Sequence, residues 1–217
     1  MAGVIVKICG LSTLPMLEAT IAAGADMAGF VFFEKSPRHI TLETARELGR
    51  VAQERIRKVA LTVDADDSTL DAIVAALAPD LLQLHGRETR ERVAAVKARF
   101  RLPVIKAIGV AGAADVSSAA AFREVADILL FDAKPAPNAA VPGGAGTVFD
   151  WELMRGYSSG DWMLSGGLDP ANVAEALRLT GAPAVDVSSG VERERGVKDE
   201  AKIAAFVAAA RKGGAFF

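Results

Sequence analysis

The sequence predicts an α/β chain that closes into a single (β/α)8 barrel over residues 1–217, and three observations carry that expectation. Eight short runs are nearly continuously apolar, as parallel strands buried on both faces require. Segments with apolar residues at helical spacing alternate with them. The average repeat of about 27 residues leaves room for one strand, one helix and two short connections in each of eight units. An open doubly wound sheet is the alternative, but such a sheet usually has fewer strands and a clear reversal of strand order.

The apolar runs cover residues 4–8, 28–33, 58–63, 81–84, 104–108, 128–131, 162–164 and 184–187. Helical spacing is clearest over residues 42–52, 70–77, 90–100 and 173–179, which are rich in Ala, Leu, Glu and Arg. Thr41, followed by Glu43 and Thr44, is expected to cap the first of these, and Ser68 ahead of Asp71 the second. Asp169-Pro170 is expected to open the last, with proline in the first turn. Gly24 and Gly181 stand where helices should stop. One Pro/Gly-rich stretch, residues 133–146, falls between the sixth strand and an expected sixth helix; a connection of that length inside a compact domain points to an active-site loop.

Composition narrows the class of partner. With 51% hydrophobic residues the chain can build a substantial core, and a formal charge of −2 gives no broad basic field for a nucleic-acid backbone. A single cysteine excludes an intrachain disulfide and suits a reducing compartment. The opening MAGVIVKICG has no basic flank and no A-x-A-like cleavage site, so it does not read as a signal peptide. No apolar stretch spans a bilayer without interrupting charges. The expectation is a cytoplasmic protein that acts on a small molecule, with neither nucleic acid nor membrane as partner.

In a barrel of this kind the ends of the strands nearest their C-termini face the active site, so polar residues there carry most weight. They are Lys7, Cys9 and Gly10 at the first strand, Ser36-Pro37-Arg38 after the second, Asp64 after the third and His85 after the fourth. Lys106 lies within the fifth, and Asp132 and Lys134 follow the sixth. Ser165-Gly166-Gly167 follows the seventh and Ser188-Ser189-Gly190 the eighth.

The last two groups are common turn sequences when taken singly. Together, at the two adjacent strand ends where barrels usually bind phosphate, Gly166 and Gly167 let backbone approach an anion while Ser188, Ser189 and Gly190 add hydroxyl and N–H donors. A phosphate-binding type of TIM barrel is therefore expected.

Cys9 and Asp132 are expected on opposite sides of the barrel mouth, at strand ends one and six, where a base and an acid can move protons on a substrate between them. The plain reading of Cys9 is a small buried hydrophobe; its place before Gly10, with Lys7 on the same strand face to favour a thiolate, argues for chemistry. Asp132 reads either as a cap or partner of Lys134, or as an acid whose burial at the rim keeps a proton available. Arg38 is either a solvated arginine or a guanidinium fork for a substrate carboxylate. His39 and His85 have no partner at metal-ligand spacing, so no metal is expected, and His85 reads as a residue that orders the site rather than a catalyst.

These residues sit in segments that resemble the phosphoribosylanthranilate isomerase family of tryptophan biosynthesis over essentially the whole chain. The segments are KICGL at 7–11, AGADMAGFVFFEKSPRHI at 23–40, LLQLHG at 81–86, PVIKAI at 103–108, LLFDAK at 129–134, PGGAGTVFDW at 142–151, LSGGLDPANV at 164–173 and VDVSSGVERERGVKD at 185–199. The resemblance implies an aldose–ketose isomerase performing an Amadori rearrangement of N-(5-phosphoribosyl)anthranilate, with Cys9 as base, Asp132 as acid and Arg38 on the anthranilate carboxylate. Gly166, Gly167, Ser188, Ser189 and Gly190 would hold the phosphate, and Lys7, His85 and Asp186 complete the expected substrate site. It implies no cofactor, and a monomer is expected in preference to a homodimer. The chain departs from the family in extra Ala and Pro residues over 134–145, while Gly144, Gly146 and Thr147 keep their places.

Two rivals remain. The barrel isomerase of histidine biosynthesis runs the same rearrangement on another amine, but that family has an aspartate where this chain has Cys9. A silent phosphate-binding scaffold would keep the glycine and serine loops but would need neither Cys9 nor Asp132.

Overall fold

The computed structural model describes residues 3–134 and 148–214, and the expected loop at 133–146, with Gly144, Gly146 and Thr147, lies almost wholly outside the described residues. Eight parallel strands form one closed ring in chain order: β1 (Ile5–Cys9), β2 (Met27–Phe32), β3 (Arg57–Thr62), β4 (Leu81–Leu84), β5 (Val104–Val110), β6 (Ile128–Ala133), β7 (Trp162–Leu164) and β8 (Ala184–Val187). The ring closes where Lys7 pairs with Asp186 in register. The strands coincide with the apolar runs to within a residue or two, because burial on both faces leaves little place for polar side chains except at the ends. The open-sheet alternative is excluded by that closure.

Helices α1 (Leu14–Ala22), α2 (Leu42–Ala52), α3 (Asp67–Leu77), α4 (Arg90–Phe100), α5 (Ala113–Ser118), α6 (Val173–Thr180) and α7 (Glu200–Gly213) surround the ring. Thr41 accepts a hydrogen bond from Thr44 N and Thr89 one from Arg92 N. The cap of α3 is Asp66 rather than Ser68, and the helix starts three residues earlier than its apolar spacing indicates, because Asp66 receives Thr69 N. Gly24 and Gly181 both adopt positive φ just past helix ends, as expected. Asp169 and Pro170 form a turn ahead of α6, where Asp169 accepts from Ala171 N and Asn172 N.

The expected sixth helix is absent among the described residues. A 3-10 turn, Trp151–Met154, stands between β6 and β7 instead. The sheet there is covered by three aromatic rings: Phe131 and Tyr157 lie 5.0 Å apart edge to face, and Tyr157 and Trp162 5.4 Å. Large rings cover the area that a helix would otherwise bury.

Inside the ring, Met27, Val59, Leu81, Ile105, Ala107, Leu130, Met163 and Ala184 form an apolar plug, with Cys9, Val31 and Leu61 above it towards the strands' C-terminal ends. The larger core lies between sheet and helices and includes Phe30, Leu70, Phe131 and Phe206. At the opposite end, three aspartates tie strands in pairs. Asp26, Asp80 and Asp127 accept the backbone N–H of Val6, Lys58 and Val104 at 2.6–2.8 Å, and each returns its own N–H to the same residue's carbonyl. No helix among the described residues is long and apolar enough to cross a membrane.

Candidate active site

The polar strand ends converge at the mouth of the barrel. Lys7 and Cys9 share the inward face of β1, two residues apart. Lys7 is fully buried and pairs with Asp186 on β8, Nζ to Oδ1 at 2.8 Å; Ser165 Oγ donates to the other carboxylate oxygen at 3.2 Å. Gly29 on β2 stands opposite Cys9 in register, and a Cβ there would lie 2.9 Å from Cys9 Sγ and 3.1 Å from Lys7 Nζ. The glycine is what allows thiol and ammonium to sit side by side.

Burial pushes the Cys9 thiol up, and the neighbouring Lys7 and Lys198 charges do not reverse it; Asp186 adds to the rise. The expectation that Lys7 tips Cys9 to a thiolate is therefore corrected: desolvation of the buried thiol outweighs the ammonium beside it. Burial alone would lower Lys7, but Asp186 and Cys9 raise it, so it remains an ammonium.

Asp132 is buried on β6, three strands round the ring from Cys9. One carboxylate oxygen accepts the N–H of Ala133 at 2.9 Å, and the other lies 3.4 Å from His85 Nε2. His85 follows β4, so this contact passes over β5. The register partner of Asp132 on β5 is Gly109, which carries no side chain. Behind β4, Lys106 pairs with Glu88 at 2.7 Å and donates to the carbonyls of Leu84 and Gly86, on either side of His85.

Arg38 is buried, and Glu192 grips it with two hydrogen bonds, Nε to Oε1 at 2.6 Å and Nη2 to Oε2 at 2.9 Å. Glu192 opens a short antiparallel hairpin, β9 (Glu192–Glu194) with β10 (Val197–Lys198), after β8. Lys198 Nζ joins Glu192 at 2.8 Å and donates to the carbonyl of Ser188 at 2.9 Å. Burial would raise Glu192, yet Arg38 and Lys198 hold it down at about 2. Burial pulls Lys198 below its ordinary value despite the carboxylate.

Gly166 and Gly167 both adopt positive φ, and a Cβ on Gly166 would press on the backbone of Ala133. A Cβ on Gly190 would overlap the carbonyl oxygen of Leu168, so the loops after β7 and β8 touch through backbone alone. Ser188 Oγ donates to the carbonyl of Cys9 at 3.0 Å and receives Lys198 Nζ at 3.2 Å. That hydroxyl braces β1.

Sequence reasoning thus named residues that the fold brings to one end of the barrel, but it passed over Gln83, Glu192 and Lys198. Gln83 lies inside an apolar run, and the other two lie beyond the last strand. Their only signal was membership of the segments LLQLHG and VDVSSGVERERGVKD.

A profile of the N-(5'phosphoribosyl)anthranilate (PRA) isomerase family matches residues 6–209. An N-(5'-phosphoribosyl)anthranilate isomerase of Rhodopseudomonas palustris strain BisB5 is 59% identical over 209 residues, 96% of each chain. The crystal structure of phosphoribosyl anthranilate isomerase from Thermotoga maritima is similar at a TM-score of 0.86 and 36% identity, over 96% of this chain and 99% of that one. A phosphoribosyl anthranilate isomerase in complex with reduced 1-(o-carboxyphenylamino)-1-deoxyribulose 5-phosphate is similar at a TM-score of 0.83 and 34% identity, with the same coverage. With closed barrel, polar mouth and likeness all running the length of the chain, it belongs to the phosphoribosylanthranilate isomerase family.

Proposed function

We propose that this chain is a tryptophan-biosynthetic isomerase that converts N-(5-phosphoribosyl)anthranilate to 1-(2-carboxyphenylamino)-1-deoxyribulose 5-phosphate, with Cys9 as base and Asp132 as acid. The observation that carries the assignment of roles is the placement of a buried thiol beside an ammonium on β1 and a buried carboxyl against an imidazole on β6, at the same end of one closed ring.

Asp132 protonates the ribose ring oxygen, the bond from that oxygen to C1′ breaks, and the amine nitrogen takes up the positive charge as a Schiff base. That cation acidifies the hydrogen on C2′, and Cys9 removes it. The electron pair left on C2′ forms the C1′–C2′ double bond and neutralises the nitrogen, and the resulting enolamine tautomerises to the ketone. The substrate's own nitrogen is the electron sink, so the chemistry calls for no metal or organic cofactor. A thiol that burial holds protonated becomes a base as the iminium charge forms beside it, which confines its reactivity to the bound state.

Arg38, fixed by Glu192, faces the anthranilate carboxylate, and Lys7, His85 and Asp186 line the substrate between the two ends. Gly166, Gly167, Ser188, Ser189 and Gly190 hold the phosphate through N–H donors of the two touching loops. We read residues 1–217 as one domain and the protein as cytoplasmic, in keeping with its single free cysteine. We read it as a monomer: among the described residues, only Leu14 and Val148 are large apolar side chains left exposed. A dimeric phosphoribosylanthranilate isomerase from Thermotoga maritima has also been crystallised as monomers.

Turnover of freshly generated phosphoribosylanthranilate, followed by loss of its fluorescence, tests the reading beside the aminoimidazole substrate of histidine biosynthesis. Turnover of the anthranilate substrate in preference to the other is expected. Folded protein that turns over neither would remove the assignment in favour of a silent phosphate-binding barrel.

A further inference from the structure

Gln83 is fully buried on β4, two residues before His85 and on the same inward face. Its amide nitrogen lies 3.1 Å from His85 Nδ1, and its amide oxygen has no hydrogen-bond partner among the described residues. A buried polar atom left unpaired is a cost that a methionine of similar length would not carry. Asp132 faces the other ring nitrogen at 3.4 Å. Lys106 fixes the main chain on both sides of the ring through Leu84 O and Gly86 O. With ring and backbone held, the freedom that remains is which nitrogen carries a proton and which end of the amide meets it.

We infer that Gln83 is a positioning residue whose amide turns with the protonation of the Asp132–His85 pair, and so supports both states of the acid. The inference rests on Asp132 being the acid. While the pair holds two protons, Nδ1 carries one and donates it to the Gln83 amide oxygen, and the other is shared between Nε2 and the carboxyl. Once one proton has gone to the substrate's ring oxygen, the one left sits on Nε2 and donates to the Asp132 carboxylate. Nδ1 then accepts from the amide NH2. The structure places the nitrogen end towards Nδ1 and leaves the oxygen unpaired among the described residues, the amide orientation that this second state requires. A half-turn about the last side-chain bond exchanges the two ends without moving the ring. Neither a fixed donor nor a fixed acceptor serves both states.

Other titratable groups stand at the same end of the barrel: Lys7, Cys9 and Asp186 on β1 and β8, Lys134 beyond β6, Asp64 and Glu88 after β3 and β4, and Lys106 within β5. All are common to wild type and to the variants used below, so a difference between them reports on position 83.

Gln83→Glu replaces the amide with an acceptor at both ends and favours the two-proton state. The limb on which kcat falls with rising pH is expected to move up by about one unit or more. Gln83→Met supports neither state; kcat is expected to fall about tenfold with KM within about twofold, because the side chain orients the acid without touching substrate.

The chain has two histidines, so imidazole 15N signals are assigned with a His39→Gln variant. In wild type His85 is expected to pass from an Nδ1 that accepts at high pH to an Nδ1 that donates at low pH, with Gln83→Glu keeping the donating form to higher pH. An unmoved limb together with an unchanged Nδ1 titration in Gln83→Glu overturns the inference. If that variant fails to fold, a wild-type Nδ1 with one unchanging hydrogen-bond role across the range overturns it as well. Loss of turnover in folded wild type would instead remove the role of Asp132, and the 15N titration would still decide the behaviour of Gln83.

Discussion

Gly29 and Glu192 show how single residues set the chemistry at the mouth of the barrel. Gly29→Ala places a methyl group within 2.9 Å of Cys9 Sγ and 3.1 Å of Lys7 Nζ, on strands that hydrogen-bond to each other. The expected result is a loss of about 1–3 kcal/mol in urea unfolding, as for other overpacked cores, with kcat falling at least tenfold as thiol and ammonium are driven apart. Unaltered kcat in the folded variant would detach Cys9 from the reaction. Glu192 holds Arg38 at two points, so Glu192→Gln is expected to raise KM several-fold while changing kcat less.

The same carboxylate makes stability depend on acid. Its folded value of about 2 lies below the ordinary 4.5, so the stabilisation it supplies is complete above pH 4.5 and is lost as pH falls towards 2. Urea midpoints at pH 6 and pH 3 should differ less in Glu192→Gln than in wild type. An equal acid loss in both would assign that sensitivity to other carboxylates. None of this was legible in the sequence: a glutamate in a charge-rich VERERGVKD stretch reads as a solvated residue until the hairpin places it against Arg38.

At the level of elements, the clearest devices are the three aspartates that precede β2, β4 and β6. Each closes a pair of hydrogen bonds with the strand before its own, and Asp26 and Asp127 also meet Arg211 and Lys97 at 2.8 Å. Pro183 occupies the corresponding place before β8, where its carbonyl accepts Ile5 N. Asp80→Asn keeps the shape but weakens a charge-assisted bond to Lys58 N, and is expected to cost about 1–2 kcal/mol in urea unfolding with kcat unchanged. A change in kcat without a change in stability would contradict the division between a stabilising and a catalytic end of the barrel. Strands were legible because burial on both faces forces runs of Val, Ile, Leu and Phe. Helix starts were less so: Asp66 rather than Ser68 caps α3, since both residue types can accept the orphan N–H groups and only the backbone decides between them. Among the described residues between β6 and β7 there is no α-helix, and the edge-to-face packing of Phe131, Tyr157 and Trp162 found there joins separate segments, so no local pattern signalled it.

For the whole molecule, closure of the ring brings Lys7 to Asp186 across 179 residues of chain and seats Cys9 and Asp132 at one end of it. Their convergence was legible once eight strands were counted, since every strand of such a barrel presents the same end to the substrate. The partners that tune them were not, because Gln83 and Gly29 carry meaning only across the barrel interior. The claim that unites fold and chemistry is that one proton leaves from Asp132 and another arrives at Cys9. Single-turnover conversion of phosphoribosylanthranilate by wild type, Cys9→Ala and Asp132→Asn, each shown to be folded, tests it most directly. Rapid conversion by wild type and a loss of at least about 100-fold in each variant are expected, the scale of general acid–base catalysis. Conversion by either variant at close to the wild-type rate would contradict it.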